Sequence, residues 1–120
     1  MKVRISKTFT FDAAHFLPHV YDGHKCKRMH GHTYRVELVC EGEPETSGWR
    51  QGMVIDYADI AEAWEPLHAQ LDHHVLNEIA GLENPTTEVL APWIMGFLSL
   101  PSLVAVRVYE SSTTWCEVTR

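Results

Sequence analysis

His30-Gly31-His32-Thr33-Tyr34-Arg35-Val36-Glu37-Leu38-Val39-Cys40-Glu41 alternates with a period of two. His30, His32, Tyr34, Val36, Leu38 and Cys40 share one face, with Arg35 and Glu37 on the other, as in a strand with one side buried. Upstream, an extended segment from about Val3 to His15 repeats the pattern. Phe9, Phe11, Ala13 and His15 fall on one side, and Thr10, Asp12 and Ala14 on the other. A polar loop from about Pro18 to Met29, carrying Gly23 and a cluster of charges, separates the two strands.

Downstream, a turn-rich stretch from Glu41 to Gly52 leads into Met53-Val54-Ile55, expected to end a pairing strand. Asp56 is placed to cap a helix. Tyr57, Ile60, Trp64, Leu67 and Leu71 then form one apolar stripe. Pro66 lies inside it and predicts a kink or an early end, since proline removes a backbone donor. Asn84-Pro85-Thr86-Thr87 predicts a second helix start, with Val89, Leu90, Trp93, Ile94 and Phe97 facing a core. Pro92 is awkward for a helix that begins so early. Leu103 to Glu110 and Thr113 to Val118 predict two strands joined by the turn Glu110-Ser111-Ser112. This order of strands and helices predicts an α+β domain with an antiparallel sheet. No repeat, low-complexity tract or Ser/Gly linker interrupts the chain, so residues 1–120 are expected to form a single domain.

A chain of 120 residues with 45% apolar composition can bury one ordinary core. It cannot also supply a separate substrate domain, so a large pocket would borrow walls from a neighbouring subunit. The net charge of -6 excludes a general nucleic-acid binder, which needs a surplus of Lys and Arg. The N-terminal residues hold no apolar signal region, and no apolar run approaches the roughly 18 residues of a membrane span. Cys26, Cys40 and Cys116 are odd in number and widely spaced, which predicts reduced thiols and a cytoplasmic setting.

Eight histidines are present, and their positions carry the chemistry. An i, i+2 pair on a strand, His30 and His32, offers two imidazoles to one ion, and His15 ends the adjacent strand. Three neutral nitrogens and an open fourth position describe a catalytic zinc site. The plain alternative is that His30 and His32 begin a strand and bond to backbone. Cys26 lies in His24-Lys25-Cys26-Lys27-Arg28, where nearby cations favour a thiolate. It is a candidate base beside the metal, or else a fourth ligand to it. Asp72-His73 follows the first helix, and a carboxylate next to an imidazole can set its tautomer and hold its charged form. A helix C-terminus would also place a histidine there for electrostatic reasons alone. His19, His24 and His68 are weaker candidates, and Cys40 and Cys116 read as core residues.

Phe11-Asp12-Ala13-Ala14-His15, Cys26-x-x-x-His30-Gly31-His32, Leu71-Asp72-His73, Asn84-Pro85-Thr86-Thr87-Glu88 and Val108-Tyr109-Glu110 occur in one order. Together they resemble the 6-pyruvoyltetrahydropterin and 6-carboxytetrahydropterin synthase family, from about Thr8 to about Glu117. The three-residue gap between Cys26 and His30 is similar to the bacterial carboxy-synthase branch, which serves queuosine synthesis. A sister group carries a glutamate instead of this cysteine. The resemblance implies Zn2+ on His15, His30 and His32, and Cys26 as general base with Asp72 and His73 completing a proton relay. It implies that Glu110 anchors the pterin through its guanidine-like edge and that Thr86, Thr87 and Glu88 line the pocket. A solvated carboxylate and plain helix caps are the ordinary alternatives for these.

The fold implied is the tunnelling fold, a four-stranded antiparallel sheet with two helices on one face. Its subunits form trimeric barrels that stack in pairs, so a homohexamer with intersubunit sites is expected. The implied reaction converts 7,8-dihydroneopterin triphosphate to 6-carboxy-5,6,7,8-tetrahydropterin, acetaldehyde and triphosphate. Lys25, Lys27 and Arg28 are candidates for the triphosphate, because the acidic remainder would repel it; a solvated basic loop is the alternative. Rival chemistries are a pyruvoyl synthase that keeps the side chain intact, a zinc hydrolase with Cys26 incidental, and a non-catalytic metal or pterin carrier.

Overall fold

The computed structural model describes residues 1–120. β1 (Val3–His15) and β2 (His30–Gly42) pair antiparallel in unbroken register, from Val3 opposite Gly42 to His15 opposite His30. β3 (Leu103–Tyr109) adds to β2 and β4 (Trp115–Thr119) to β3, giving one sheet in the order β1-β2-β3-β4. The register puts Phe11, Tyr34, Val36, Leu38, Val106 and Val108 on a common face, all buried. α1 (Tyr57–Leu71) and α2 (Thr87–Phe97) cover that face. Trp64 of α1 stacks on Phe9 at 5.3 Å, and Phe11 stacks on Tyr34 at 4.9 Å. The opposite face is a charged ladder in which Arg107 reaches Glu117 at 2.6 Å and Glu37 at 3.7 Å.

Asp56 caps α1 by accepting from Ala58 N at 2.9 Å, and Thr86 caps α2 by accepting from Val89 N at 3.3 Å. Pro66 does not end α1, which runs five residues further. A helix-interior proline costs about 3 kcal/mol, whereas burying Leu67 and Leu71 beyond it contributes about 1.5–3 kcal/mol each. Pro66 and Glu62, whose carbonyl loses its donor, are both exposed and can be solvated. Pro92 and Glu88 repeat the arrangement in α2.

Several sequence expectations are corrected. Met53-Val54-Ile55 is not part of a strand. Gly48 and Gly52 adopt φ of +79° and +88°, turning the chain so that Glu45 N donates to Met53 O at 3.0 Å inside a local loop. Tyr57 and Phe97 are exposed, not in the core. Phe97 falls on the outer face of α2 and packs on Trp93 at 4.5 Å, while Leu90, Ala91, Ile94, Met95 and Leu98 take the buried positions. The last strand begins at Trp115, because Ser111, Thr113 and Thr114 are tied into the preceding turn by hydroxyl hydrogen bonds.

Candidate metal centre

The loop end of the β1–β2 hairpin gathers three imidazoles. His15 and His30 are cross-strand partners, and His32 lies two residues along on the same face. Their ring centroids form a near-regular triangle, at 4.5 Å (His15–His30), 5.1 Å (His15–His32) and 5.0 Å (His30–His32). Carbonyl oxygens fix two of the tautomers. His15 Nδ1 lies 2.9 Å from Pro85 O, and His30 Nδ1 lies 2.7 Å from Arg28 O. A carbonyl only accepts, so each Nδ1 carries the hydrogen and each Nε2 keeps its lone pair. The two Nε2 atoms face each other at 3.0 Å. Two lone pairs held that close favour a proton or a cation between them.

Glu110 joins the group. It follows Tyr109, which pairs with Arg35, so it falls beside Tyr34 and reaches His32 Nε2 with Oε1 at 2.9 Å. The donor atoms of His15, His30, His32 and Glu110 all lie within 4.8 Å of one another. This His/His/His/Glu cluster could bind a metal ion, and three imidazoles with a carboxylate are a donor set suited to zinc. The fit is supported by His32 Nε2, which is buried and has no hydrogen-bond partner. Burial pushes the His15 imidazolium below the usual histidine range, against the Pro85 bond. Burial also lowers His32, against the Glu110 charge. Both rings are thereby kept neutral, as ligation requires. Burial, with Glu110 adding, pushes the Tyr34 phenol upward, so it stays a neutral hydroxyl 3.2 Å from His15 Nδ1.

Cys26 sits in a 3-10 turn, Lys25–Lys27, capped by His24, whose Nδ1 accepts from Cys26 N at 3.0 Å. With Lys25, Arg28, Met29, His30, His32 and Glu110 it lines a cavity of about 480 Å³. Lys27 does not line it and is held by Asp22 at 2.6 Å and Val20 O at 3.1 Å. Thr86, Thr87 and Glu88 also stand outside it. Thr86 caps α2 and Thr87 Oγ1 donates to Glu88 at 3.0 Å, while the adjoining Pro85 carbonyl holds His15.

Asp72 and His73 face elsewhere. Asp72 Oδ2 lies 2.8 Å from His73 Nδ1, and Oδ1 accepts from Asp12 N at 2.9 Å. His73 takes φ +59°, a left-handed conformation uncommon for a side chain of its size, secured by His73 N donating to Asp12 O at 2.6 Å. Hydrogen bonding from Asp12 N and from His73 holds the Asp72 carboxyl below its ordinary range, and Asp72 raises His73. His73 lines a second cavity, of about 490 Å³, with Asp12, Ala14, Gly31 and Thr33, and His32 borders both cavities. Asp12, Ala14, Gly31 and Thr33 point to the sheet face opposite the histidine cluster, and Cys26 does not line this cavity, so within one chain Cys26 and His73 open on separate cavities that meet at His32.

Two supporting residues escape a motif reading. Tyr34 was visible only as a core position of the His30–Cys40 alternation. Asn77 clamps the end of β1 through Phe16 N at 3.0 Å and Phe16 O at 2.8 Å, and nothing in the sequence marks it.

Residues 4–120 match the sequence model of the family described as 6-pyruvoyl tetrahydropterin synthase. The chain is 42% identical to a 6-carboxy-5,6,7,8-tetrahydropterin synthase of Synechocystis over 92% of its own length and 88% of the relative. It is 31% identical to a protein of the same name from Haemophilus influenzae, covering 95% and 96% of the two chains. Its fold superposes on the structure of Caenorhabditis elegans 6-pyruvoyl tetrahydropterin synthase with a TM-score of 0.88 at 22% identity, covering 100% and 96%. The architecture is the tunnelling fold. With the family's sequence pattern spanning all but the first three residues and the backbone following it throughout, this chain belongs to the 6-pyruvoyl tetrahydropterin synthase family.

Proposed function

We propose that the chain is a zinc-dependent carbon–carbon lyase. It converts 7,8-dihydroneopterin triphosphate and one water to 6-carboxy-5,6,7,8-tetrahydropterin, acetaldehyde and triphosphate, in queuosine biosynthesis in the cytoplasm. The observation that carries this reading is the convergence of His15, His30 and His32 on one point, with Cys26 on the wall of the same cavity. The name borne by the 42%-identical relative supports the carboxy-type product.

His15, His30 and His32 would hold the zinc, which when bound polarises the substrate's side-chain hydroxyls and acidifies the neighbouring C–H. Cys26 removes that proton from a substrate lying in the cavity. His73, oriented and kept basic by Asp72, returns protons elsewhere. Glu110 anchors the pterin, with Thr86, Thr87 and Glu88 at the pocket's edge. Lys25 and Arg28 receive the triphosphate, and Lys27 supports their loop through Asp22. Because Cys26 and His73 open on different cavities of one chain, the reading includes a homohexamer, a dimer of trimers. In it each single-domain subunit of residues 1–120 lends Asp72 and His73 to a neighbour's Cys26.

Incubating the zinc-loaded protein with 7,8-dihydroneopterin triphosphate and weighing the products tests the reading. Acetaldehyde and the 6-carboxy product are expected in equal amounts. Triphosphate release with the carbon side chain retained would identify the pyruvoyl reaction instead. An unchanged substrate would leave a hydrolase or a carrier.

A further inference from the structure

Cys26 is tied through both its backbone groups to residues outside the histidine cavity. Its carbonyl accepts from Leu17 N at 2.8 Å, two residues past His15. Its N–H donates to His24 Nδ1 at 3.0 Å. In the three-residue turn Lys25–Lys27 the first internal bond runs from Lys27 N to His24 O, at 3.1 Å. The N–H of Cys26 therefore has no partner inside the turn, and the His24 ring supplies one. A backbone N–H only donates, so Nδ1 of His24 keeps its lone pair and the hydrogen of the neutral ring stands on Nε2. This is the reverse of His15 and His30, whose Nδ1 atoms face carbonyls. His24 is itself held by Tyr21, whose carbonyl accepts from His24 N at 3.1 Å and whose ring meets the imidazole edge to face at 5.0 Å. Lys25, Cys26 and Arg28 line the cavity, whereas His24 does not. It grips the backbone of the thiol without entering the space a substrate would fill.

We infer that His24 is a positioning residue for Cys26, its ring nitrogen fixing the turn so that the sulfur faces the metal cavity. This rests on the reading of Cys26 as the base. A neutral imidazole suits the place. An aspartate would close the same turn but set a negative charge beside a sulfur that must ionise. An alanine would leave the N–H to water and the turn free to open. Asparagine has neither fault. Asp56 shows that so short a side chain spans the gap, since it accepts from Ala58 N, two residues on, at 2.9 Å. The backbone angles are nearly the same, φ −73° and ψ 132° at Asp56 against φ −66° and ψ 131° at His24.

Millisecond hydrogen–deuterium exchange, resolved to single amides in the zinc-loaded protein, reads the contact itself. His24→Ala should speed exchange at the Cys26 N–H at least about fivefold, and His24→Asn should hold it near the unmutated rate. Turnover reads the consequence. In His24→Ala the kcat for acetaldehyde release should fall at least about tenfold, with KM and zinc content unchanged, and His24→Asn should recover most of it. Exchange at Cys26 that His24→Ala leaves unaltered would overturn the inference, as would faster exchange with an unaltered kcat. A KM raised in both variants, or an equal loss of kcat in both, would make the ring a substrate contact and overturn it too. The underlying reading fails separately. Full turnover by Cys26→Ala, or none by the unmutated protein, removes the base and the inference with it, while exchange still decides whether His24 holds the turn.

Discussion

Cys26 lies on the wall of the histidine cavity but outside the four converging donors, which separates a role in proton transfer from a role in ligation. Cys26→Ala is therefore expected to retain one metal per chain by elemental analysis and to lose acetaldehyde release by at least about a hundredfold. Loss of metal together with turnover would make the sulfur a ligand. The Asp72–His73 pair makes a prediction about pH. His73 is raised by Asp72, so its contribution to stability is full below its unfolded-state value and disappears as pH climbs through the folded one. Asp72 is lowered, so its contribution is full above its unfolded value and is lost as pH falls through the folded one. By NMR the His73 ring should titrate above the ordinary histidine value, and Asp72→Asn should bring it down. A ring that titrates alike in both proteins would refute the pairing. At this scale the sequence is informative where a period-two strand sets direction. His15, His30 and His32 meet because alternation and register leave them no other face. It is silent where tertiary carbonyls decide, as with Pro85 O and Arg28 O, which fix the tautomers.

Among the elements, α2 matters beyond its own packing, because its capping segment also supplies the carbonyl that holds His15. Thr86→Ala removes an N-cap and is expected to cost about 1 kcal/mol. This should read as a lower urea midpoint with an unchanged slope. A change of slope would mean that the fold itself had altered. The stripes of both helices were largely legible from spacing, as was Asp56 as a cap, whereas for α2 the sequence offered Thr86 and Thr87 without choosing between them. Spacing does not say where the core stops, however. Phe97 continues the α2 pattern on a face that turns to solvent while Leu98 beside it is buried, and Tyr57 precedes the core of α1. Nor does local composition reveal that two left-handed glycines fold Met53 back onto Glu45 before it can join a strand. Proline was over-weighted at positions 66 and 92, since apolar burial beyond it offsets its cost and the orphaned carbonyls belong to exposed residues.

At the scale of the molecule, an elongated body of 58 × 25 × 23 Å carries a sheet covered on one face only, with β1 and β4 at its two edges. A single sequence holds little information about what meets that uncovered face, because assembly depends on surfaces whose polar residues look like any solvated ones. The split of Cys26 and His73 between two cavities makes the assembly testable through function. Cys26→Ala and His73→Asn, the latter chosen because asparagine tolerates the left-handed backbone, should each be inactive alone. Unfolded together, refolded in equal amounts and reloaded with zinc, they recombine at random. Sites built from two chains then receive an intact Cys26 and an intact His73 about one time in four, so up to about a quarter of the unmutated activity should return. Were each site contained in one chain, every site in the mixture would keep one lesion, and acetaldehyde release would stay at the level of the separate variants.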